Sequence, residues 1–283
     1  NLKVEQEWRI YMAITVAVLD TGIYRHIDFG DRIVGFVDCV NEKNYIYDDS
    51  GHGTHVSGII AGDGTASHKK YRGIAPNACI AAVKVLDNRG NGIVSNVLKG
   101  TEWILENKER LDIKIVNVSF GTTGSNDYKT RVLVNAVENM WDEGLIVVAA
   151  AGNNGPMPGS ITAPGISCKI ITVGAYDDIR FHSGRGPIKE CDIKPEVVVT
   201  GTNIVACTNM KNKYSSKSGT SMSTPIVSGA IARLMEHDPY LTPEEVKHWL
   251  RACCEPVIEN DIEKYDRDKY GWGKLNMAKF VMG

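Results

Sequence analysis

The sequence predicts an α/β fold in three layers, with a mostly parallel central sheet between two layers of helices. Two observations lead to this fold class. Short runs of β-branched residues are continuously apolar, as in parallel strands that are covered on both faces. Helical patterns separate several of these runs, so strands and helices alternate. The predicted buried strands are residues 14–20, 80–87, 113–120, 145–151 and 170–176.

Two segments between the predicted strands place their apolar residues near one face of a helix. In residues 94–106 and 128–141, apolar side chains recur at spacings of three and four residues. Another helix is expected to open within SGHGTH, residues 50–55, where small residues lead into the apolar run VSGII. These helices are expected to cover the faces of the sheet.

The C-terminal part of the sequence is mainly helical. Residues 221–235 are apolar around much of the helical circumference, which predicts a buried helix. Pro225 fits this helix only in the first turn, so we expect the helix to begin very near Ser221. The stretch LTPEEVKHWL, residues 241–250, begins with a capping box and predicts another helix.

Composition indicates an ordinary globular protein and argues against some partners. The 283 residues carry a formal net charge of −2, and Lys and Arg are scattered along the chain. Neither nucleic acid nor a membrane is therefore expected as a partner, and no apolar run approaches the length of a membrane span. Without repeats or a linker, residues 1–283 are predicted to form a single domain. Since the first residue is Asn rather than Met, we expect any pro-segment to be absent or removed.

The sequence contains seven cysteines, and they lack the spacing of a small disulfide scaffold or of a paired CxxC zinc site. Cys79 and Cys207 lie in apolar, strand-like runs, and Cys253 and Cys254 are adjacent. We interpret the cysteines as mostly buried free thiols. This favours a reducing compartment such as the cytoplasm over secretion, and cysteine usage is the only basis for that expectation.

Reactive residues lie where strands are predicted to end, and functional sites form at such positions in open α/β sheets. Asp20 ends the first predicted strand, Ser119 lies at the end of the third, and Asn153 follows the fourth. His52 and Ser221 lie at predicted helix starts. An aspartate, a histidine, a serine and an asparagine are therefore expected to converge on one edge of the sheet.

Ser221 and Asn153 each have a catalytic and a structural interpretation. At a helix start next to Gly219 and Thr220, free amide groups and the helix dipole favour an oxyanion that develops beside a nucleophilic Ser221. A serine there could instead be an N-cap without chemistry. Asn153 could donate to an oxyanion or simply form a turn. The segment does not match the GxSxG motif of α/β-hydrolases, because Ser223 occupies the fifth position.

His52 and His55 are compatible with an acid–base site or with a metal site. The positive potential at a helix start disfavours imidazolium, so His52 is expected to be neutral, as a general base must be. Asp20 could orient His52, or could cap a turn with Thr21 and Gly22. His55, among apolar residues, is predicted to be a packed, hydrogen-bonded core histidine. A zinc hydrolase is a weaker alternative, because HExxH is absent and no third ligand follows at a recognisable spacing.

Five segments together resemble the subtilisin-like serine peptidases, the subtilases. They are VAVLDTGI, DDSGHGTHVSGIIAG, VNVSFG, VVAAAGNNGP and SGTSMSTPIVSGA. HGTHV and GTSMSTP, in this order, are highly specific, and the resemblance runs from about Ile14 to about Gly273. The order Asp, His, Ser is that of subtilisin. The resemblance implies a subtilisin-like fold of the bacterial type, and the cysteines suggest an intracellular branch.

By this resemblance, Asp20, His52 and Ser221 are the triad of a serine endopeptidase, and Asn153 is its oxyanion donor. Polypeptides are then the substrates, and the chain's own pro-segment is a candidate inhibitor. The resemblance also implies two backbone segments that bind the peptide as added strands, and a pocket for the side chain that precedes the cut. Small, uncharged walls predict broad specificity with an apolar preference. The implied substrate-binding residues are Gly90, Asn91, Gly92, Ser119, Phe120, Gly121, Ala150, Ala151 and Gly152.

The resemblance implies no cofactor for the chemistry and leaves a structural calcium ion open. Residues 61–76 do not resemble the loop that builds a tight calcium site in secreted members. Asp28 matches one calcium ligand of the family, but a lone carboxylate is a poor cage for an ion that takes six or more oxygens. A subtilase-fold protein that binds or regulates with little turnover is the alternative function, since fold does not fix function. Against it, all four catalytic positions are intact.

Overall fold

The computed structural model describes residues 13–122, 128–178, 182–257 and 265–282. Strands in these ranges form a large sheet and a separate hairpin. The strands are β1 (Thr15–Asp20), β2 (Ile33–Asp38), β3 (Cys79–Lys84), β4 (Ile113–Val118), β5 (Ile146–Ala150), β6 (Ile171–Ala175), β7 (Val197–Val199), β8 (Ile204–Cys207), β9 (Tyr214–Lys217), β10 (Cys254–Glu255) and β11 (Lys274–Leu275). β8 and β9 form the hairpin, and the other strands form the sheet.

The order across the sheet is β10-β11-β7-β6-β5-β4-β1-β3-β2. Each neighbouring pair is parallel, except that β10 runs antiparallel to β11. β1 pairs with β3 on one side and with β4 on the other, so Asp20 lies at the carboxyl edge of an interior strand of the sheet. β1, β3, β5, β6 and β7 are buried along their whole length, as expected for parallel strands covered on both faces.

Helices of the described ranges pack against the sheet in two groups. They are α1 (His52–Ala61), α2 (Val94–Asn107), α3 (Tyr128–Asp142), α4 (Thr220–Met235), α5 (Pro243–Ala252), α6 (Arg267–Tyr270) and α7 (Met277–Val281). α1 and α7 pack against α4, whereas α2 packs against α3. The predicted three-layer α/β fold is confirmed. In the parts of the chain that the structure describes, no helix is both long and apolar enough to cross a bilayer.

α4 occupies the core and is buried at almost every position, with Arg233 exposed. It contacts β4, β5 and β6 on the sheet. Its small residues permit close approach: a Cβ added at Gly229 would lie 2.7 Å from the Cβ of Ile74, which is tighter than real side chains tolerate. The helix that carries Ser221 is therefore held by close packing along its length.

The long apolar segments were predicted correctly, and the short strands were not predicted. β2 is an edge strand whose apolar side chains are partly buried or exposed. β7, β10 and β11 have two or three residues each, too few for a periodicity. The start of α4 at Thr220 agrees with the prediction, but Pro225 lies at the sixth helical position instead of in the first turn. Proline has no backbone N–H, so one helical hydrogen bond is lost at this position. The close packing of α4 offsets the free energy of that lost bond. That residues 1–283 form one domain stays a prediction.

The cysteines are mostly free thiols, as the sequence analysis expected. Four are buried and Cys254 is partly buried. The disulfide between Cys168 and Cys191 was not predicted. It joins two segments 23 residues apart in the sequence, a spacing that does not reveal a bond without the fold that brings the segments together.

Candidate active site

Asp20 and His52 form the central contact of the candidate site. Asp20 is the last residue of β1 and is fully buried, and His52 is the first residue of α1, with its side chain 27% exposed. Nδ1 of His52 lies 2.7 Å from Oδ1 and 2.9 Å from Oδ2 of Asp20. An ionised carboxylate can only accept, so Nδ1 donates and, in the neutral ring, Nε2 carries the lone pair. This is the tautomer that can take a proton from a group beyond Nε2.

Asp48 holds the start of α1, although the sequence analysis did not identify it. Its Oδ1 accepts from the backbone N–H of Gly51 at 2.8 Å and from the hydroxyl of Thr21 at 2.8 Å. Its Oδ2 accepts from the backbone N–H and the hydroxyl of Thr54, at 2.9 and 2.6 Å. The first turn of a helix leaves amide groups without partners, and Asp48 supplies the acceptors. His52 is thereby fixed relative to the end of β1.

Glycines allow β1 and the start of α1 to approach closely. A Cβ added at Gly53 would overlap the carbonyl oxygen of Gly22 and lie 3.1 Å from the Cβ of Asp20. Gly22 has φ of +113°, and a Cβ there would overlap the carbonyl oxygen of Tyr47. The small residues around His52 are therefore required by the short distance between strand end and helix start.

The pKa of His52 differs from the expectation for a histidine at a helix start. Burial lowers this pKa, but the charge of Asp20 and its hydrogen bonds outweigh burial, and the net pKa lies above the ordinary 6.5. The helix-start argument gave the wrong direction, because a carboxylate in hydrogen-bond contact exceeds the partial charge of a helix terminus. His52 is therefore neutral only above this raised pKa.

His55 lies further along α1 and has a different environment. It is fully buried, and its Nε2 donates to the carbonyl of Ser215 at 3.0 Å. Burial lowers the pKa of His55 to about 4, so the ring is neutral near pH 7. The prediction of a packed, hydrogen-bonded core histidine is confirmed. Among the described residues, no third ligand completes a metal site with His52 and His55.

Ser221 is the second residue of α4, next to a hydrogen-bonded asparagine. Oδ1 of Asn153 accepts from the backbone N–H of Thr220 at 3.0 Å and from its hydroxyl at 3.2 Å. Because a backbone N–H can only donate, this contact identifies the oxygen of the amide and leaves Nδ2 as a donor for other partners. Gly219 has φ of 143°, and a Cβ there would lie 3.3 Å from Nδ2 of Asn153. Glycine therefore keeps the space beside this amide open.

Two cavities adjoin these residues. A cavity of about 340 Å³ contains Ser221 and Asn153 in its wall, and a second cavity of about 370 Å³ lies on the other side of Phe120 and Gly121. Besides Ser221 and Asn153, the first is lined by Phe120, Gly121, Thr122, Ala150, Gly152, Asn154 and Thr162. The predicted wall Gly90, Asn91 and Gly92 lines the second cavity. The two cavities adjoin, because both are lined by Phe120, Gly121 and Thr122, and we refer to them together as the groove.

Two of the expected substrate-binding residues, Ser119 and Ala151, are buried behind the cavities, and their role stays a prediction. Ser119 is 2% exposed, and its hydroxyl accepts a hydrogen bond from Nδ2 of Asn117 at 2.8 Å. Ala151 is fully buried, and its backbone bonds to Val173 and Thr162. Neither residue lines either cavity. A motif places its residues on one segment but does not tell which of them face the groove.

Thr162 lines the first cavity and was missed by the sequence analysis. Its Oγ1 is buried and has no hydrogen-bond partner among the residues that the structure describes. A Cβ added at Gly121 would overlap this oxygen, and one at Gly152 would lie 2.5 Å from it. Thr162 carries no sequence signal because it lies in a loop between strands. Asp48 carries no local signal either, because it lies three residues before the N-cap Gly51 and acts through contacts with Thr21 and Thr54.

The Asp20–His52 pair and the Ser221–Asn153 pair belong to elements in contact, because α1 packs against α4. Lys217, four residues before Ser221, lies close enough for its charge to lower the pKa of His52. His55 also bonds to Ser215 of the same segment. In this arrangement Asp20 contacts His52 directly, and Ser221 shares a cavity with Asn153.

The sequence is similar to one protein family and to several of its characterised members. Residues 12–273 match the model of the subtilase family. The serine protease AprX of Bacillus subtilis (strain 168) is 38% identical to this chain, over 95% of the chain and 66% of AprX. Subtilisin DY of Bacillus licheniformis is 35% identical, over 93% of the chain and 89% of that protein. The chain therefore spans about two thirds of the first relative and most of the second.

Solved structures of similar proteins have the same fold. Sphericase superposes with a TM-score of 0.78 at 27% identity, over 93% of this chain and 91% of its own. The S41 psychrophilic protease has a TM-score of 0.78 at 29% identity, with the same coverage of both chains. The similarity thus covers nearly all of this chain and nearly all of each solved structure.

The raised pKa of His52 gives a prediction about its protonation. In an NMR titration, the His52 ring is expected to titrate above 6.5, and the midpoint is expected to fall in Asp20→Asn, because the neutral amide no longer stabilises imidazolium. His55 is an internal control, since its pKa of about 4 keeps it neutral from pH 5 to 8. A His52 midpoint at or below 6.5, or one unchanged in Asp20→Asn, contradicts the prediction.

Proposed function

Because the chain belongs to the subtilase family and is by that membership a serine endopeptidase, we propose that Asp20, His52, Ser221 and Asn153 carry out the cleavage. The observation that supports this assignment most strongly is the 2.7 Å contact between His52 and a fully buried Asp20. That contact sets the tautomer in which the free nitrogen can serve as a base.

In the proposed reaction, Ser221 is the nucleophile and His52 the general base. The hydroxyl oxygen attacks the scissile carbonyl carbon while Nε2 of His52 takes the hydroxyl proton. His52 then gives this proton to the leaving amine as the carbon–nitrogen bond breaks. Water repeats the sequence on the acyl-enzyme, with His52 again as the base, and releases the acid and the free serine. Activity should therefore rise with pH through the raised pKa of His52.

Asp20 orients His52 and stabilises the imidazolium that forms in each step. Asp20 is buried at the end of β1. Its carboxylate has a fixed position, because it also accepts from the backbone N–H of Thr21 at 2.7 Å. The carboxylate therefore cannot rotate away without losing two bonds. Hydrogen bonds from Thr21 and Gly51 to Asp48 hold the start of α1, and with it His52, in place.

Asn153 and the backbone N–H of Ser221 are proposed to bind the oxyanion. Thr220 holds Oδ1 of Asn153, which leaves Nδ2 beside the cavity that Ser221 lines. The N–H of Ser221 lies in the first turn of α4, where amide groups lack helical partners and the dipole favours negative charge. Loss of such an asparagine lowers kcat by about 10²–10³-fold, as measured for the equivalent residue of subtilisin.

The substrate is proposed to be a polypeptide that binds in the groove as an added strand. The segments Gly90–Gly92 and Phe120–Gly121 face each other across the second cavity, so an extended peptide can lie between them. The first cavity would then receive the side chain that precedes the cut. The described residues that line it include no charged side chain, which supports the expected apolar preference. Inhibition by a pro-segment stays a prediction.

The proposed nucleophile can be tested with a fluorophosphonate probe, which bonds to an activated serine. The wild-type chain is expected to be labelled, and Ser221→Ala is expected to lose labelling and about 10⁶-fold in kcat, the loss measured for the nucleophile of subtilisin. Ser223→Ala is a matched control, because Ser223 lies on the same helix but is buried and donates to the carbonyl of Thr200. Equal labelling of Ser221→Ala and wild type would contradict the assignment of Ser221 as the nucleophile.

The described residues that line the first cavity are uncharged, and they predict a substrate preference. Peptides with Leu or Phe before the cleaved bond are expected to show kcat/KM at least about tenfold above those with Lys or Arg, because none of these residues offers a buried cation a charged partner. The comparison uses one peptide frame and one leaving group. A strong preference for Lys or Arg would overturn the proposed pocket without affecting the assignment of the nucleophile.

A further inference from the structure

Three side chains outside the proposed active site form a compact, buried group of metal-ligating types. His26 and Asp28 lie in the turn after β1, and Cys207 is the last residue of β8. One ring nitrogen of His26, one carboxylate oxygen of Asp28 and Sγ of Cys207 lie within 4.8 Å of one another. The three residues are 2%, 0% and 0% exposed. We refer to them as the His26–Asp28–Cys207 cluster.

The carboxylate of Asp28 is buried among neutral donors. Oδ1 accepts from the backbone N–H of Ala66 at 2.8 Å, and Oδ2 accepts from the hydroxyl of Tyr214 at 2.7 Å and lies 3.5 Å from Sγ of Cys207. Arg32 donates to the main-chain carbonyl of Asp28 and forms no ion pair with the carboxylate. Buried charges are normally paired or bound to a metal, and within the described ranges neither Lys nor Arg pairs with this one.

His26 does not supply the missing positive charge. Its Nδ1 lies 3.6 Å from Oδ1 of Asp28 and accepts a hydrogen bond from the backbone N–H of Asp28 at 3.3 Å. A nitrogen that accepts carries no proton, so the ring in this geometry is neutral. Nε2 therefore carries the proton; among the described residues it has no hydrogen bond of normal geometry, although the backbone of Lys213 lies close enough to raise the pKa of the ring against the lowering by burial. The lone pair of Nδ1, held here by one long hydrogen bond, lies 3.6 Å from a buried carboxylate that the buried thiol of Cys207 also contacts.

The types of donor atom select the class of cation. Sulfur, imidazole nitrogen and a single carboxylate suit Zn²⁺ and related transition metals, whereas Ca²⁺ takes six to eight oxygens. Asp28 is the position that matches a calcium ligand of the family, but here Cys207 and His26 present sulfur and nitrogen to the same space. The surroundings of Asp28 therefore do not fit a calcium cage.

We propose that the His26–Asp28–Cys207 cluster binds one divalent transition-metal cation of the zinc class. Binding replaces the proton of the Cys207 thiol, which passes to solvent as the metal–sulfur bond forms. The thiolate and the carboxylate then balance the two positive charges, with a neutral imidazole as third ligand. Tyr214 and Ala66 keep their hydrogen bonds to Asp28 and orient the carboxylate.

The bound cation would join segments that are far apart in the sequence. Asp28 follows the strand that ends at Asp20, and Cys207 ends the first strand of the β8–β9 hairpin, whose Ser215 receives the hydrogen bond of His55. A cation that binds only the folded chain raises its stability. The proposed metal site takes no part in the cleavage chemistry, so a negative result for the metal does not affect the assignment of the catalytic residues, and the reverse also holds.

The test uses cobalt, which occupies zinc sites and reports its ligands by absorption. The full chain carrying Ser221→Ala, which prevents self-cleavage, is produced without a histidine tag in cobalt-supplemented medium, so that metal can enter as the chain folds. We expect about one cobalt ion per chain and a thiolate-to-cobalt charge-transfer band. Cys207→Ser is expected to lose the band and most of the metal. Cys253→Ser, which removes another buried thiol, is expected to keep both.

Two results overturn the proposal: a parent protein without stoichiometric cobalt and without the band, or a band that survives Cys207→Ser. If Cys207→Ser does not fold, His26→Gln decides the question, because it leaves every thiol in place. Loss of metal in His26→Gln supports the cluster, and retention contradicts it. A melting temperature that Ca²⁺ raises as much as Zn²⁺, without a cobalt band, also contradicts it.

Discussion

The structure of the site depends on one contact, the hydrogen bond from His52 to a carboxylate buried at the end of β1. Burial in the sheet excludes water from Asp20, so its charge acts on His52 at close range. That charge reverses the expected effect of the helix start and raises the pKa of His52. The contact exists only because Gly22 and Gly53 let strand and helix approach closely.

Two helix starts at the carboxyl edge of the sheet carry His52 and Ser221, two of the proposed catalytic residues. α1 presents His52 with Asp48 as the acceptor for its first turn, and α4 presents Ser221 with Asn153 bonded at its first residue. Each start uses a polar side chain from another segment, so the position of the reactive residue depends on tertiary contacts as well as on its own helix. The packing of α1 against α4 fixes the two starts relative to each other.

The sequence was sufficient for the fold class, because long apolar runs are local signals. It also predicted that Asp20, His52 and Ser221 lie at the ends of elements, where the structure has them; their catalytic roles stay a proposal. It could not give Asp48, Thr162 or the Cys168–Cys191 disulfide, whose roles arise only when distant segments meet. The predicted direction of the His52 pKa shift was wrong for the same reason. A helix-start rule considers one element, whereas the carboxylate that decides the shift comes from another.

The most direct test of the account is a double-mutant cycle on the central contact, with kcat measured for wild type, Asp20→Asn, His52→Ala and the double variant. Because Asp20 acts through His52, its loss should matter only while the imidazole is present. We expect Asp20→Asn alone to lower kcat by about 10⁴-fold, and the double variant to be no worse than His52→Ala alone. Losses that multiply, as for independent groups, would contradict the account.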